Sequence, residues 1–327
     1  MQSLFRGRHF IDLEDFGKEE VETMLEVSFD FKKKFALGEP TPYLLYKTMF
    51  LIFFEQSTRT RNSMEAGLAQ LGGHANYLDS SGMQVAHGES AKDTAVILSR
   101  FGHGIACRYC NWGLGNKYLT EMARWSSAPV MNLQCDLYHP FQALADLMTM
   151  REKIGDLSRV KVSIIWAYAE SHKKPISVPV SQILLFPRYG MDVVLAHPPG
   201  WELPDQVIEK ARENAARYGG SVTVTDNEES AYEGAHVVIP KNWGSWVTDQ
   251  SAAVVDDRLR ANRGWICTGE KMALADPGVY YMHALPADRG NEVVDAVIDG
   301  PRSIVYDEAE NRLHTAKAVM ALLMGGR

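Results

Sequence analysis

The run Met49-Phe50-Leu51-Ile52-Phe53-Phe54, followed at once by Glu55-Gln56-Ser57-Thr58-Arg59-Thr60-Arg61, limits what this chain can fold into more than any other stretch. Six apolar residues rich in β-formers have the length of a buried strand. Ser57 and Thr58 place hydroxyls where a helix would start. Met64, Ala66, Leu68, Ala69 and Leu71 carry the helix on, and Gly72-Gly73 ends it. A strand buried on both faces that turns into a helix belongs to a parallel sheet with helices packed on it. The junction has two readings. It is an ordinary capped helix with solvated arginines, or it is an anion site. Free N–H groups, the positive end of the helix dipole and a guanidinium would then meet at one spot.

The same rhythm continues along the chain. Strands are expected over 75–78, 104–108, 130–133, 160–166, 192–196, 222–224, 237–239 and 279–283. Helices are expected over 11–37 (started by Asp12 and Glu14), 90–101, 119–125, 141–153, 180–189, 204–218 and 311–324. Residues 80–89 read as a polar loop carrying Gln84, His87 and Glu89. The pattern predicts an α/β protein of two domains, each a parallel sheet flanked by helices, over 1–152 and 153–310. A length of 327 residues suits two domains.

Composition narrows the partners. The net charge is −7, from 34 basic and 41 acidic residues without a basic block, which disfavours nucleic acid and anionic membranes. No apolar run is long enough to span a bilayer, and the first eight residues lack a signal-peptide core, so a cytoplasmic location is expected. Cys107 and Cys110 form a CxxC without a second pair at zinc spacing, and read as reduced structural cysteines rather than a redox or metal pair.

Candidate chemistry sits at strand ends, where open α/β sheets build their sites. The strand over 160–166 runs into Ala167-Tyr168-Ala169-Glu170-Ser171-His172-Lys173-Lys174-Pro175, with no glycine fingerprint, and no Walker A sequence occurs. The phosphate site is therefore expected in the first half, for a small substrate. Arg108 ends one strand, His139 and Gln142 open a helix, and His283-Ala284-Leu285-Pro286 ends the last strand, with Arg289-Gly290 beyond it. Arg312 is expected to begin the final helix. Lys241-Asn242-Trp243 reads either as a substrate-binding element or as a loop lysine beside a packed tryptophan.

Three segments resemble the signatures of the aspartate/ornithine carbamoyltransferase family: Ser57-Thr58-Arg59-Thr60-Arg61, His139-Pro140-Phe141-Gln142-Ala143-Leu144-Ala145-Asp146, and His283 through Gly290. They occur in the family's order, and the resemblance covers nearly the whole chain. Gln84 through Glu89, Asn132 through Asp136, Trp166-Ala167-Tyr168, Pro175 through Pro179 and Pro240 through Trp243 are similar to the knotted branch. That branch includes N-acetylornithine and N-succinylornithine enzymes and a catabolic bacterial type of uncertain substrate. The resemblance implies a carbamoyl-phosphate domain with the final helix, 311–327, returning to it, then an amino-acid domain with a knotted proline-rich loop over 174–179. It implies a homotrimer with shared sites, and no metal or cofactor.

The resemblance also implies roles. Ser57, Thr58, Arg59 and Thr60 would bind the phosphate of carbamoyl phosphate. Thr60, Arg108 and His139 would stabilise the oxyanion that develops at its carbonyl. Gln142 and the Leu285 carbonyl would hold the carbamoyl amide, with Arg312 beside the phosphate or carbonyl. Gln84, His87 or Lys92 would act from a neighbouring subunit. Lys241, Trp243, His283 and Arg289 would serve the amine substrate. The sequence departs from the ornithine enzymes in two places. Ala284 replaces a cysteine, and Lys241-Asn242-Trp243 stands where an aspartate is expected. Both departures favour an amine that carries an acidic or acyl group over plain ornithine. The alternatives are an ornithine carbamoyltransferase and a non-catalytic regulatory protein that keeps the carbamoyl-phosphate site.

Overall fold

The computed structural model describes residues 4–171, 173–245 and 251–325. Residues 1–3, 172, 246–250 and 326–327, the last two within the range expected for the final helix, lie outside the described residues. The chain divides into two compact units, one of residues 1–148 and 309–327, the other of residues 149–308. Each holds an all-parallel sheet with helices, as the alternating pattern predicts.

The first unit begins with α1 (Lys18–Ala36). Asp12 and Glu14 do not start this helix. Asp12 instead accepts the Glu14 and Asp15 N–H groups in a turn, at 2.9 and 3.2 Å. The helix begins after Gly17, whose N–H is taken by the Glu20 carboxylate at 2.8 Å. There follow β1 (Thr48–Phe53), α2 (Thr58–Gln70), β2 (His74–Asp79), α3 (Ala91–Phe101), β3 (Gly104–Tyr109), α4 (Gly115–Trp125), β4 (Val130–Cys135) and α5 (Pro140–Ile154). The loop over 80–89 contains two short 3-10 turns, Ser80–Gly82 and Gln84–His87.

The sheet order is β2-β1-β3-β4. Residues 49–53 are all buried, and Ile52, Ile105, Cys107, Val130 and Cys135 of the sheet pack on Ala95, Leu119 and Met122 of the helices. Of the CxxC pair, Cys107 is a buried core residue and Cys110 is half-buried, and both are free thiols. Gly67 of α2 lets that helix approach the last one closely: a Cβ there would stand 3.1 Å from Met320 and 3.2 Å from Lys317.

The second unit contains β5 (Lys161–Trp166), α6 (Ser177–Leu185), β6 (Asp192–Ala196), α7 (Asp205–Tyr218), β7 (Ser221–Thr225), α8 (Glu228–Tyr232), β8 (Val237–Lys241), α9 (Ala252–Ala261), α10 (Gly269–Met272), β9 (Tyr280–Tyr281) and α11 (Asp295–Ile298), in the sheet order β7-β6-β5-β8-β9. The last helix, α12, spans Val305–Met324. Several expectations are corrected here. α6 begins at Ser177 rather than 180, so Pro179 lies in its first turn, where a missing N–H costs no helical bond. A separate 3-10 turn, Phe186–Tyr189, finishes the expected helix.

β8 runs on through Pro240 to Lys241. Proline is tolerated because β9 pairs only with Val237 and Val238, leaving that side of the strand open. β9 is two residues long, so His283 stands beyond it rather than ending it. Arg312 does not begin the last helix but lies two turns inside it. The helices α8 to α11 have no counterpart in the sequence expectations. The shortest, at four or five residues, cannot display a helical period.

Each sheet has a switch point where successive connections leave in opposite directions, and ligands bind at the carboxyl ends of the strands there. In the first unit it lies between β1 and β3, and in the second between β5 and β8.

Candidate active site

In the first unit the carboxyl end of β1 leads into α2, with Ser57 as the residue before the helix and Thr58 to Thr60 in its first turn. Ser57 is extended (φ −156°, ψ 113°), but its hydroxyl makes no capping bond, so it stays available to a ligand. Thr60 is buried. Arg59 and Arg61 separate here. Two residues apart on a helix means opposite faces. Arg61 bonds to Glu65 at 3.0 Å and lies 3.5 Å over the Tyr77 ring. It is no part of the anion site. Arg59 is half-buried, and burial together with the Arg108 charge lowers its pKa.

Arg108 lies in the last part of β3, where the register with β4 slips between Cys107 and Arg108. Such a bulge re-aims the side chain that follows it. Arg108 comes opposite Gln134, and its Nη1 donates to the Gln134 side-chain oxygen. Glu55 is near Arg108 and turns both oxygens to the Cys110 N–H, at 3.0 and 3.1 Å.

His139 and Gln142, at the start of α5, are 4% and 2% exposed. Gln142 donates to Asp146 at 2.7 Å and accepts from Arg312 Nη1, while Arg312 Nη2 donates to Thr60 Oγ1 at 3.3 Å. Thr60, Gln142, Asp146 and Arg312 are thus one bonded chain. Burial first, and then the Arg312 and Arg108 charges, push the His139 imidazole well below its ordinary pKa. It is neutral at pH 7. The charges of Arg108 and Arg312 therefore act on a neutral imidazole, and Arg108 also acts on Arg59 at the helix start, a concentration of positive charge that suits an anion.

Gln84 and His87 are exposed on the second 3-10 turn. Lys92 is exposed, with its ammonium 4.1 Å over the Trp125 ring. Among the described residues no hydrogen bond or ion pair joins any of the three to the arginine group.

In the second unit the centre is a residue that the sequence reading did not single out. Glu292 is fully buried. Its Oε1 accepts from the Asn242 N–H at 2.7 Å and from Lys241 at 3.0 Å, and its Oε2 accepts from the Asp288 N–H at 2.6 Å and lies 3.2 Å from His283 Nε2. Burial alone would raise the pKa of this carboxyl, but Lys241, His283 and Lys174 outweigh it and hold the acid far below its usual range. His283 is fully buried, and its pKa is lowered by that burial. Its Nδ1 accepts the Leu285 N–H at 2.9 Å, which puts the ring proton on Nε2, towards Glu292. Leu285 takes a positive φ of 45°.

Trp243 is fully buried, its indole N–H donates to the Trp201 carbonyl at 2.8 Å, and its own carbonyl accepts from Trp166 at 3.0 Å. The packed-tryptophan reading describes it. Arg289 is exposed and holds Asp295 at 2.7 Å and Asp299 at 2.6 and 2.7 Å. Gln134, Asp146 and Glu292 are the site residues that went unassigned in the sequence. Asp146 follows Gln142 at i+4, a spacing that would have revealed it. The other two depend on strand register and on a long-range loop contact.

Among the described residues no group of three or more His, Cys, Asp or Glu could hold a metal ion, and no helix is long and apolar enough to cross a membrane.

Known proteins match this layout. Residues 8–152 match the description "Aspartate/ornithine carbamoyltransferase, carbamoyl-P binding domain", and residues 161–323 match "Aspartate/ornithine carbamoyltransferase, Asp/Orn binding domain". An ornithine carbamoyltransferase of Pyrococcus abyssi is 40% identical over 321 residues, covering 98% of this chain and 97% of that protein. The structure of the ornithine carbamoyltransferase from Pyrococcus furiosus superposes with a TM-score of 0.89 at 38% identity over 99% of both chains. An acetylornithine transcarbamylase complexed with acetylcitrulline superposes with a TM-score of 0.90 at 32% identity, over 98% of this chain and 100% of that one. With both of its units matched and the motif residues gathered at the sheet ends, the chain belongs to the aspartate/ornithine carbamoyltransferase family and is a carbamoyltransferase.

Proposed function

We propose that the protein moves the carbamoyl group of carbamoyl phosphate to the amine of an amino-acid or ureido-type substrate that carries an acidic or acyl group. Ser57, Thr58, Arg59 and Thr60 bind the phosphate at the start of α2. Thr60, Arg108 and His139 donate to the carbonyl oxygen as it becomes an oxyanion, each such donor contributing about 3 kcal/mol to barrier lowering. Gln142 is oriented by Asp146 and Arg312 for the carbamoyl amide. The amine nitrogen attacks the carbonyl carbon, the carbon–oxygen bond to phosphate breaks, and the leaving phosphate accepts the amine's proton. Holding the two reactants in register supplies much of the rate.

The observation that carries the choice of amine is the Lys241–Glu292 pair. Glu292 already accepts three hydrogen bonds and lies 3.2 Å from His283 Nε2, so it offers little to a free cationic amino group. Lys241, with 13% of its side chain exposed, offers a positive charge instead. A second reading, plain ornithine, is favoured by the name of the 40% identical relative from Pyrococcus abyssi.

Phosphate release from carbamoyl phosphate with a panel of ornithine, N-acetylornithine, N-succinylornithine, aspartate and ureido acids separates the readings. An acylated or acidic amine is expected to lead the panel. Robust turnover with ornithine would replace the first reading by the second, and no release with any amine would leave a carbamoyl-phosphate-binding regulator.

The homotrimer, the knotted path over 174–179 and the cytoplasmic location belong to the same proposal. The exposed apolar side chains of Ile97 and Phe101 on α3, and of Trp125 beneath Lys92, support a subunit contact, and the 2.8 Å bond from the Gly244 N–H to the Lys174 carbonyl supports a chain path drawn tight at that loop.

A further inference from the structure

Lys174 stands out because the Glu292 cluster does not need it. Glu292 has its donors in Asn242, Asp288, Lys241 and His283. Lys174 Nζ stands 3.8 Å from Glu292 Oε1, outside hydrogen-bonding reach, and no described residue accepts a hydrogen bond from it. Yet its side chain is only 33% exposed. The two ammonium nitrogens address the same carboxylate oxygen, so they can be no farther apart than the 3.0 Å and 3.8 Å separations laid end to end. Among the described residues Glu292 is the one carboxylate within 4 Å of both ammoniums, and Asp288 acts on Lys174 from farther off. Burial first, and then the charge of Lys241, lower the Lys174 pKa against the opposing pull of Glu292 and Asp288.

Position agrees with charge. Lys174 follows β5 and Lys241 ends β8, and Trp166, the last residue of β5, pairs with Lys241. The two lysines therefore flank the switch point of the second sheet, where a ligand is expected.

We infer that Lys174 and Lys241 form a two-lysine cradle for an anionic group of the amine substrate, and that Lys174 is a specificity residue which selects against a free α-ammonium. This rests on the carbamoyl-transfer reading and adds a residue and a selection rule to it. A carboxylate brought to the pair accepts the hydrogen bonds that the Lys174 ammonium does not give to any described residue. A free α-ammonium beside it adds like charge in a half-buried setting, whereas an acylated nitrogen adds none.

The test uses the full chain and three unreactive probes: L-norvaline, N-acetyl-L-norvaline and N-succinyl-L-norvaline. Each is titrated calorimetrically in the presence of carbamoyl phosphate against wild type, Lys174→Met and Lys174→Arg. The acylated probes are expected to bind wild type about tenfold or more tightly than norvaline. Lys174→Met should erase that ratio and Lys174→Arg should restore it, while stabilisation by inorganic phosphate stays the same in all three and shows that each is folded. In turnover, Lys174→Met should raise KM for the amine and leave KM for carbamoyl phosphate alone. Equal binding of acylated and free norvaline by wild type, an unchanged ratio in Lys174→Met, or no binding of any probe each overturns the inference. None of these outcomes affects phosphate release with the amine panel, which judges carbamoyl transfer separately.

Discussion

The two units handle buried charge in opposite ways. In the first, Arg59, Arg108 and Arg312 surround a neutral His139, and the bonds among them run through neutral groups such as Thr60, Gln134 and Gln142. In the second, a fully buried carboxylate, Glu292, is bonded on both oxygens and ties together Lys241, His283 and the loops at Asn242 and Asp288. The first arrangement concentrates positive charge beside a helix start, and Arg59 and Arg108 repel each other there. The second is mostly satisfied within the chain and holds loops in place. Removing a charge should therefore damage function in one unit and stability in the other.

The largest effect is expected from Arg59→Ala. Phosphate release should fall by about three orders of magnitude, the size seen when a phosphate-binding guanidinium is lost. The melting temperature should hold or rise, because Arg59 and Arg108 repel each other. Unchanged turnover would remove Arg59 from the site, and a clearly lower melting temperature would erase the contrast between the units.

Glu292→Ala should come next, with the sign reversed. It strands two lysines around an empty buried position and should cost about 3–5 kcal/mol of unfolding free energy, read by denaturant titration. Glu292→Gln sharpens this through pH. The folded carboxyl is held far below its ordinary value of 4.5, so its contribution is complete above that value and is lost as pH falls through the depressed folded value. The stability gap between wild type and Glu292→Gln should be full at pH 7 and begin to close only below about pH 4.5. A gap that closes between pH 7 and 5 would mean that Glu292 is not the counter-charge described.

The smallest effect is expected from Arg61→Ala, which serves as the control. Its partners are Glu65 one turn on and the Tyr77 ring. The pair is partly solvated, so the loss should stay within about 1 kcal/mol, with turnover within about twofold of wild type. A loss near that of Arg59→Ala would show that the separation of the two arginines by helix face is wrong.

Much of this was legible in the sequence because it is local. Strand runs such as 192–196 and the Ser57–Thr60 junction declare themselves through apolar length and hydroxyl placement, and each of the strands expected in the first half is present. Where the reading slipped, a longer-range effect was at work. Asp12 and Glu14 look like helix-start residues, but Gly17 with Glu20 takes the start. The strand expected over 279–283 shrinks to two residues because pairing with β8 ends at Val238. Arg312 was placed at a helix start because Val305 to Asn311, rich in acids, does not resemble a core-facing turn.

By itself, the sequence determined the α/β class, the strand-to-helix junction at Ser57–Thr60 and the family signatures, because each depends on neighbours in the chain. Only the tertiary structure decided which arginine is engaged elsewhere, since helix geometry turns Arg59 and Arg61 to opposite sides and Arg61 meets Glu65 and the Tyr77 ring. Only it decided that Trp243 is core, that Arg289 is held by Asp295 and Asp299, and that Glu292 joins Lys241, Lys174 and His283. Those pairings bring together residues up to 118 positions apart, from Lys174 to Glu292. No local propensity encodes such a distance. It is set by which strands lie side by side at the switch point and by the burial that makes an unpaired charge too costly to leave alone.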